Sequence, residues 1–285
     1  MTENSTHAEY RYVTDMISIS DVTSVINQFL PEPHAGLLSG ILFGTKATLS
    51  FPLKDALIKT GTLHIVALSG TNITIIIGVL GTMLLQVFPR KIAYIGAIIG
   101  IIGFVWFVGP SASVVRAALM GIIALIGVLC GRQSWAFFTW GIAIVMMLIV
   151  RPMWIIDVSF QLSALASLGM ILFGKKSVSP HTGSFWLYGK ALLIDELHTT
   201  LAAQVLTIPL IVFLFHRISF IAPLTNILIG WAIPVITVLG FIVVALGMLW
   251  YPFGYGAALI TWVFLEYVIT MITVTSWIPL ASVGW

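Results

Sequence analysis

The sequence predicts an all-α, polytopic membrane protein, and three observations carry this prediction. Of the 285 residues, 59% are hydrophobic. Only 8% are charged, whereas soluble domains carry about 25% charged residues. The apolar residues form continuous runs near the ~20 residues that a helix needs to cross a bilayer. A membrane β-barrel would alternate apolar and polar residues, so we expect about seven to eight helical spans plus short interfacial and broken helices.

The N-terminal part of the chain is less apolar than the rest. Residues 1–20 are polar and are interpreted as a flexible leader, followed by a transmembrane domain over residues 21–285. Prolines and glycines punctuate residues 22–59, where one helical face carries Leu37, Leu38, Ile41 and Leu42. A helix of this length is too short to cross a bilayer, so an interfacial helix that lies against the bundle or the bilayer is expected here.

The apolar runs place the membrane spans in order. The first five are predicted over residues 63–88, 92–108, 111–130, 135–150 and 154–173. Residues 185–197 are predicted to form a second interfacial helix, ahead of a sixth span over 199–215 that Pro209 interrupts. Residues 218–250 are too long for one crossing, so a broken or re-entrant segment and a full span are expected. The last span covers residues 253–275.

Polar side chains open the first span, where a membrane helix normally holds only hydrocarbon. His64, Ser69 and Asn72 lie there, and Gly70 weakens a helix by about 1 kcal/mol relative to alanine. Polar groups and breaks at membrane depth are tolerated where protein or water surrounds them. The stretch therefore indicates an internal cavity, although an ordinary helix with His64 at the headgroups would also fit.

Ionisable residues occur inside the predicted spans. Arg116, Asp157 and Glu266 would each cost about 2.5–3.5 kcal/mol at the centre of a bilayer, so they should face protein or water. Gln161 shares a helical face with Asp157, and Asn226 lies in the broken segment. We expect these residues to line a polar lumen. Two alternatives would explain the charges equally well: Arg116 could pair with Asp157 or Glu266 only to hold the bundle, or it could snorkel to an interface.

Two glycine pairs suggest close packing between helices. Gly96 and Gly100 have the spacing of a GxxxG motif, as do Gly127 and Gly131. This motif lets two membrane helices approach closely. Both pairs are interpreted as packing contacts.

Motifs with known catalytic chemistry are missing from the sequence. His64 and Ser69 are five residues apart, on different faces of a helix, and so do not form a base–nucleophile pair. A single cysteine, Cys130, excludes an internal disulfide and a cysteine-rich metal site. No nucleotide-binding P-loop is present, so the chain cannot power transport itself. We therefore predict no catalytic residue, no metal site, no cofactor and a protein that is not an enzyme.

Four separated blocks resemble the ComEC competence-protein family. They are GTLHIVALSGTNITII from residue 61, GPSASVVRAALM from 109, DVSFQLSALASLGMILF from 157 and TIPLIVFLFHRISFIAPLTNILIGWAIPVITVLG from 207. The upstream LPEPHAGLLSGILFG, from residue 30, is also similar. The match covers residues 30–247 in the family's order. It implies an inner-membrane channel that takes up single-stranded DNA during natural transformation in a bacterium.

The resemblance also implies partners. Single-stranded DNA and membrane lipid are expected, and a homo-oligomer is compatible with the sequence. Larger family members carry an oligonucleotide-binding-fold module and a metallo-β-lactamase-like module, which these residues do not contain. Other competence proteins are therefore expected to supply the motor, DNA capture and the nuclease. Many members have a second histidine just after the Ser-Gly pair, where this chain has Asn72, so a role that needs two histidines is not expected.

Two other functions stay open from the residues alone. One is a small-solute or proton-coupled transporter, in which Asp157 and Glu266 would form an ionisable relay. The other is a structural membrane subunit, whose polar groups only hold helices together. The formal net charge of +3 is small for a channel that carries a polyanion. No inverted repeat, which would favour the transporter, is visible in the sequence.

Overall fold

Helices dominate the structure, a computed structural model that describes residues 18–45, 49–66, 70–174, 185–215, 217–219, 221–278 and 282–284. The helices in this part of the chain are α1 (Ile19–Phe29), α2 (His34–Phe43), α3 (Phe51–Lys59), α4 (Gly70–Val87), α5 (Arg90–Val108), α6 (Ala112–Leu129), α7 (Ala136–Val150), α8 (Val158–Phe173), α9 (Phe185–Phe215), α10 (Ala222–Gly230), α11 (Ala232–Leu249) and α12 (Tyr251–Ser276). Short 3₁₀ turns cover Leu63–Ile65 and Pro152–Ile156, and two short strands are β1 (Arg217–Ser219) and β2 (Ser282–Gly284). The predicted all-α fold is confirmed.

Five of the described helices are long and apolar enough to cross a membrane, judged by length and composition alone. They are α5, α6, the Leu197–Leu214 part of α9, α11 and α12. Asn72–Val87 of α4, α7 and α8 are also apolar but shorter. If these three cross as well, the count reaches the upper end of the predicted range; that part of the count stays a prediction.

Two groups of helices build the interior. The first and largest core cluster joins α1–α3 to α10–α12 through residues such as Ile26, Leu38, Leu57, Ile236 and Leu265. Smaller clusters join α4 to α6 through Ile73 and Val114, and α6 to α7 and α8 through Ala112, Met147 and Phe160. The chain termini of the described fold therefore pack together, and α4–α9 form the rest of the bundle.

The amphipathic helix α1 begins at Ile19, within the last two residues of the predicted leader. Val22, Ile26 and Phe29 are buried on one face, at the spacing of a helix that packs on one side. A capping box stabilises its start, where the backbone N–H and the hydroxyl of Ser18 both donate to the Asp21 carboxylate. The backbone bond and, to a smaller extent, the hydroxyl bond lower the pKa of this carboxyl group. Residues 1–17 lie outside the described part of the chain.

The helix α2 was predicted to be interfacial, lying against the bundle or the bilayer, but it lies inside the bundle instead. All ten of its residues are buried. Its small residues admit neighbours on one side, since a Cβ on Gly40 would overlap Val66. Its large residues fill space on another side, where a Cβ on Gly240 of α11 would lie 2.7 Å from Leu38 and 3.0 Å from Leu42. This short helix is therefore enclosed by the protein and does not lie on the membrane surface.

The helix α9 also differs from the prediction, which divided it into an interfacial helix and a separate span. It runs unbroken for 31 residues, with Pro209 inside it. Hydropathy falls between Asp195 and Thr199, which is why the sequence predicted a break there. None of these residues is a helix breaker, and the Thr199 hydroxyl donates to the Asp195 carbonyl at 2.9 Å. At 1.5 Å per residue the helix is about 46 Å long, which is longer than the ~30 Å hydrocarbon layer.

The long segment 218–250 breaks as predicted. The nine residues of α10 are too few to cross, and α11 is a full-length candidate span. Pro223 lies in the first turn of α10, where its missing N–H costs no helical hydrogen bond. The break falls at Trp231, between the two helices.

The two glycine pairs have different roles. On α5, a Cβ on Gly96 would lie 3.1 Å from Leu84, and one on Gly100 would overlap Leu80, so this pair does admit α4 as predicted. Gly131 instead lies in the turn after α6 with φ +68°, a left-handed conformation that favours glycine. The second motif therefore shapes a turn, and its prediction as a helix-packing motif is wrong.

A two-stranded antiparallel sheet brings the segments after α9 and α12 together. Strand β1 follows α9, and it pairs antiparallel with β2, which follows α12, with Arg217 opposite Gly284. The Ser219 hydroxyl donates to the Lys59 carbonyl at 2.9 Å, which brings the end of α3 to the same place. These strands were not predicted from the sequence, because their pairing joins segments that are far apart in the chain.

Cys130 offers a direct measurement of orientation. It is exposed just after α6, at the same end as Arg90, Lys91 and Arg132 if α4, α5 and α6 cross in succession. The positive-inside rule favours this end as cytoplasmic. We therefore expect a membrane-impermeant maleimide to label Cys130 only after the membrane is permeabilised.

The matched control moves the cysteine to the opposite end. Ser111 is exposed in the connection between α5 and α6, so the double variant Cys130→Ser, Ser111→Cys should be labelled in intact cells. Labelling of the wild-type protein in intact cells, with protection of the double variant, would reverse the orientation.

Candidate functional site

The first turn of α4 is wedged between α2 and α6. On one side, a Cβ added to Gly70 would lie 2.8 Å from an Nη atom of Arg116. On the other side, the Asn72 amide donates to the Ile41 carbonyl at 2.7 Å. The described part of α4 begins at Gly70, and Leu63–Ile65 forms a 3₁₀ turn, so the span predicted from residue 63 does not begin as an α-helix. Glycine at the start of α4 leaves the space that the guanidinium occupies.

Arg116 is buried and held by neutral groups. Its residue is only 7% exposed. Its Nε donates to the Ser163 hydroxyl on α8 at 2.8 Å, and Nη1 donates to the Met120 sulfur at 3.2 Å. Within the described residues, the ion pairs are His34–Glu266 and Lys59–Asp55. Arg116 therefore does not pair with Asp157 or Glu266, and the prediction of such a structural pair is wrong.

Asn72 caps the end of α2. Ile41 lies in the last turn of that helix, where backbone carbonyls have no partner within the helix, and the Asn72 amide supplies one. The Asn72 side-chain oxygen is buried, and so is the hydroxyl of Thr45 just beyond α2. Neither has a hydrogen-bond partner among the described residues. The junction of α2 and α4 therefore holds more polar atoms than its internal hydrogen bonds satisfy.

His64 lies in the loop before α4, near the start of α10. Its exposed ring donates from Nδ1 to the Gly61 carbonyl at 3.1 Å. Gly61 has φ +68°, and a Cβ there would lie 2.9 Å from the Cβ of Ala222. Asn226 lies one turn further along α10, is buried, and has a side-chain oxygen without a partner in the described part of the chain. Ser69 falls in residues 67–69, outside the described residues.

Asp157 and Gln161 stabilise the start of α8. Asp157 is the N-cap residue, and its carboxylate accepts from the Phe160 N–H at 3.0 Å. The Gln161 amide donates to the Ile155 carbonyl at 2.7 Å. An N-cap carboxylate is a common way to satisfy the first N–H groups of a helix. Both side chains therefore have local structural partners, and their predicted role in a lumen stays a prediction.

Glu266 is paired with His34, a residue that was not predicted from the sequence to be functional. The His34 Nε2 lies 2.7 Å from a carboxylate oxygen of Glu266. The His34 side chain is 9% exposed and that of Glu266 is 48% exposed. The available signal was a histidine at the start of an otherwise apolar helix, HAGLLSGILF. Its partner is 232 residues away, which no local pattern can show.

The predicted residues thus separate into several places. Asn72 lies in the first turn of α4, and Arg116 lies beside that turn and donates to Ser163. His64 and the segment of Asn226 approach each other through the contact of Gly61 with α10. Arg116 links this region to Ser163 of α8, and Gly61 links it to Ala222 of α10. A shared cavity and its lining stay a prediction.

The comparison with known families decides the family of this chain. The profile of the Competence protein family matches residues 41–285. The chain belongs to this family. The match includes the first turn of α4, Arg116 and the paired Glu266, and begins after His34. The predicted relationship to competence proteins is confirmed.

Two curated proteins illustrate the relationship. The ComE operon protein 3 of Bacillus subtilis (strain 168) is 25% identical over 208 residues, which cover 73% of this chain and 26% of that protein. The uncharacterized protein YcaI of Escherichia coli (strain K12) is 27% identical over 222 residues, which cover 73% of this chain and 28% of that protein. The competence-family chain thus spans about a quarter of the length of these relatives. No solved structure matches it.

Proposed function

We propose that this competence-family chain forms the channel through which single-stranded DNA crosses the cytoplasmic membrane of a bacterium. Its family and its apolar helices support a role in competence at a membrane. The observation that carries the proposal is Arg116, a buried cation held by neutral partners at the start of α4.

A buried guanidinium needs an anion or water to be stable. Arg116 bonds a hydroxyl and a thioether, and neither offsets a full positive charge. Phosphate oxygens match the planar fork of an arginine, and charge-assisted bonds of this kind are roughly twice as strong as neutral ones. The phosphate backbone of a DNA strand would supply such oxygens in succession.

Other proteins would supply the remaining functions. The net charge of +3 provides little long-range attraction for DNA. We therefore infer that DNA capture, the motor and the nuclease reside on other competence proteins or modules, and that this chain contributes the path through the membrane without catalysis.

The test is uptake of labelled single-stranded DNA by cells that carry Arg116→Gln. A charge-assisted hydrogen bond is worth about 1.5–3 kcal/mol, so we expect uptake to fall about 10-fold or more. Arg116→Lys keeps the charge but loses the fork, and should give an intermediate rate.

The control is Arg132→Gln, which removes the same charge from an exposed turn after α6. It should leave uptake unchanged. Insertion of every variant is measured by protein level in isolated membranes. Wild-type uptake by a normally inserted Arg116→Gln protein would contradict the proposed channel function.

A further inference from the structure

The guanidinium of Arg116 is anchored at one edge and unanchored at the other. An arginine has five N–H donors. Its Nε donates to the Ser163 hydroxyl of α8 at 2.8 Å, and Nη1 donates to the Met120 sulfur of α6 at 3.2 Å. Within the described part of the chain, Nη2 makes no hydrogen bond, and it lies 2.8 Å from the position of a Cβ at Gly70. The Nη2 end is therefore the part of the group that has donors to spare.

Ser163 lies on a helix whose position is fixed by its neighbours. The Trp140 indole of α7 donates to the Ala164 carbonyl at 3.1 Å. A Cβ on Gly169 would overlap the Ala202 carbonyl oxygen, so α8 and α9 touch through their backbones. The Ser163 hydroxyl is therefore held in place as an acceptor. Because Nε belongs to the rigid plane of the guanidinium, a bond to Nε sets the direction in which the whole group points.

The side chain at position 163 also determines how much of the positive charge is compensated. A serine hydroxyl accepts the Nε bond but carries no charge, so it orients the guanidinium without neutralising it. A carboxylate at the same place would form an ion pair, whose bonds are roughly twice as strong as neutral ones. Opposite charges at contact distance offset each other, so an arginine paired in this way would attract a phosphate oxygen less.

We propose that Ser163 is a positioning residue for Arg116, which fixes the guanidinium through Nε and leaves its charge and its Nη2 end to bind phosphate. This inference rests on the proposed channel function, in which Arg116 binds the phosphate backbone of DNA. It adds a requirement for residue 163, which must accept a hydrogen bond and must carry no charge. Ser163 acts through Arg116 and needs no contact with DNA.

The first test compares DNA uptake by cells that carry Ser163→Asp or Ser163→Asn. The two new side chains have nearly the same size and both can accept the Nε bond, so they share any steric effect and differ in charge. We expect Ser163→Asp to accumulate in membranes, since it gives the buried arginine an ion-pair partner, and to lower uptake about 10-fold, as Arg116→Gln does. Ser163→Asn should take up DNA several times faster than Ser163→Asp. A purely structural role predicts the opposite order, because the ion pair would hold α6 and α8 together more strongly.

The second test follows the guanidinium itself and uses no DNA. The chain has six arginines, so protein labelled with ¹⁵N only in arginine gives few Nε–H signals in an NMR spectrum, and the one missing in Arg116→Lys belongs to Arg116. In the wild type this N–H should exchange slowly with water, because it is hydrogen-bonded. Ser163→Ala should raise the exchange rate about 10-fold, and Ser163→Thr, which keeps the hydroxyl, should restore slow exchange.

The third test asks whether Ser163 acts through Arg116. Ser163→Ala should lower uptake in the wild-type background but cause no further loss when combined with Arg116→Gln, because residues that act through one another are not additive. A further loss in the double variant would overturn the proposal. Equal uptake by Ser163→Asp and Ser163→Asn at equal protein levels, or an unchanged Arg116 signal in Ser163→Ala, would do the same. These results would leave the channel function standing, whereas normal uptake by Arg116→Gln would end both proposals.

Discussion

Gly169→Leu is expected to prevent normal accumulation of the protein in membranes. A Cβ at Gly169 of α8 would overlap the Ala202 carbonyl oxygen of α9 and lie 3.5 Å from the Cα of Ala203. These are backbone atoms, which cannot rotate away as a side chain can. Overpacking costs about 1–3 kcal/mol for small additions, and the full leucine side chain would force α8 and α9 apart.

The measurement is the amount of protein in isolated membranes, with the thermal unfolding midpoint in detergent for variants that can be purified. Gly169→Ala should already lower the midpoint, because the first carbon makes the clash. The matched control is Gly78→Leu on α4, where a Cβ would have no neighbour within 4 Å. Equal midpoints for Gly169→Ala, Gly78→Leu and the wild type would show that α8 and α9 do not pack this closely.

Asn72→Leu is expected to lower both stability and DNA uptake. From the sequence alone, leucine suits a membrane helix better than asparagine, so the variant should insert normally and fail only in uptake. The structure adds a cost, because a leucine side chain could not donate to the Ile41 carbonyl that Asn72 caps. An unsatisfied buried carbonyl costs about 1–3 kcal/mol, so the unfolding midpoint should fall.

Asn226→Leu is the comparison for this prediction. It removes a buried side-chain oxygen that has no partner among the described residues, so its loss of stability should be smaller. Both variants should reduce uptake if both side chains line the DNA path. An Asn72→Leu protein as stable as the wild type would show that the bond to Ile41 contributes little, and normal uptake by both variants would remove these residues from the proposed path.

The sequence by itself determined the class, the family and most of the helices. Continuous apolar runs identify membrane helices because the bilayer acts on each segment separately. The length of residues 218–250, which is too great for one crossing, likewise predicted the break between α10 and α11. The family followed from motifs that can be read in linear order, and its profile covers residues 41–285.

Hydropathy did not locate every boundary. It divided α9 where Asp195 and Thr199 lower the apolar content, although the helix continues. It also assigned α2 to an interfacial position, against the bundle or the bilayer. A short apolar helix fits a surface or a core equally well by its own sequence, and only the packing of Val66 and Gly240 against α2 decided for the core.

The tertiary structure alone decided the partners of the charged residues. Arg116 donates a hydrogen bond to Ser163 rather than pairing with a carboxylate, and Glu266 pairs with His34. A sequence shows which groups require a partner, because burial of a polar group is costly wherever it occurs. The choice among partners depends on which helices become neighbours, and that is fixed by packing between segments up to 232 residues apart.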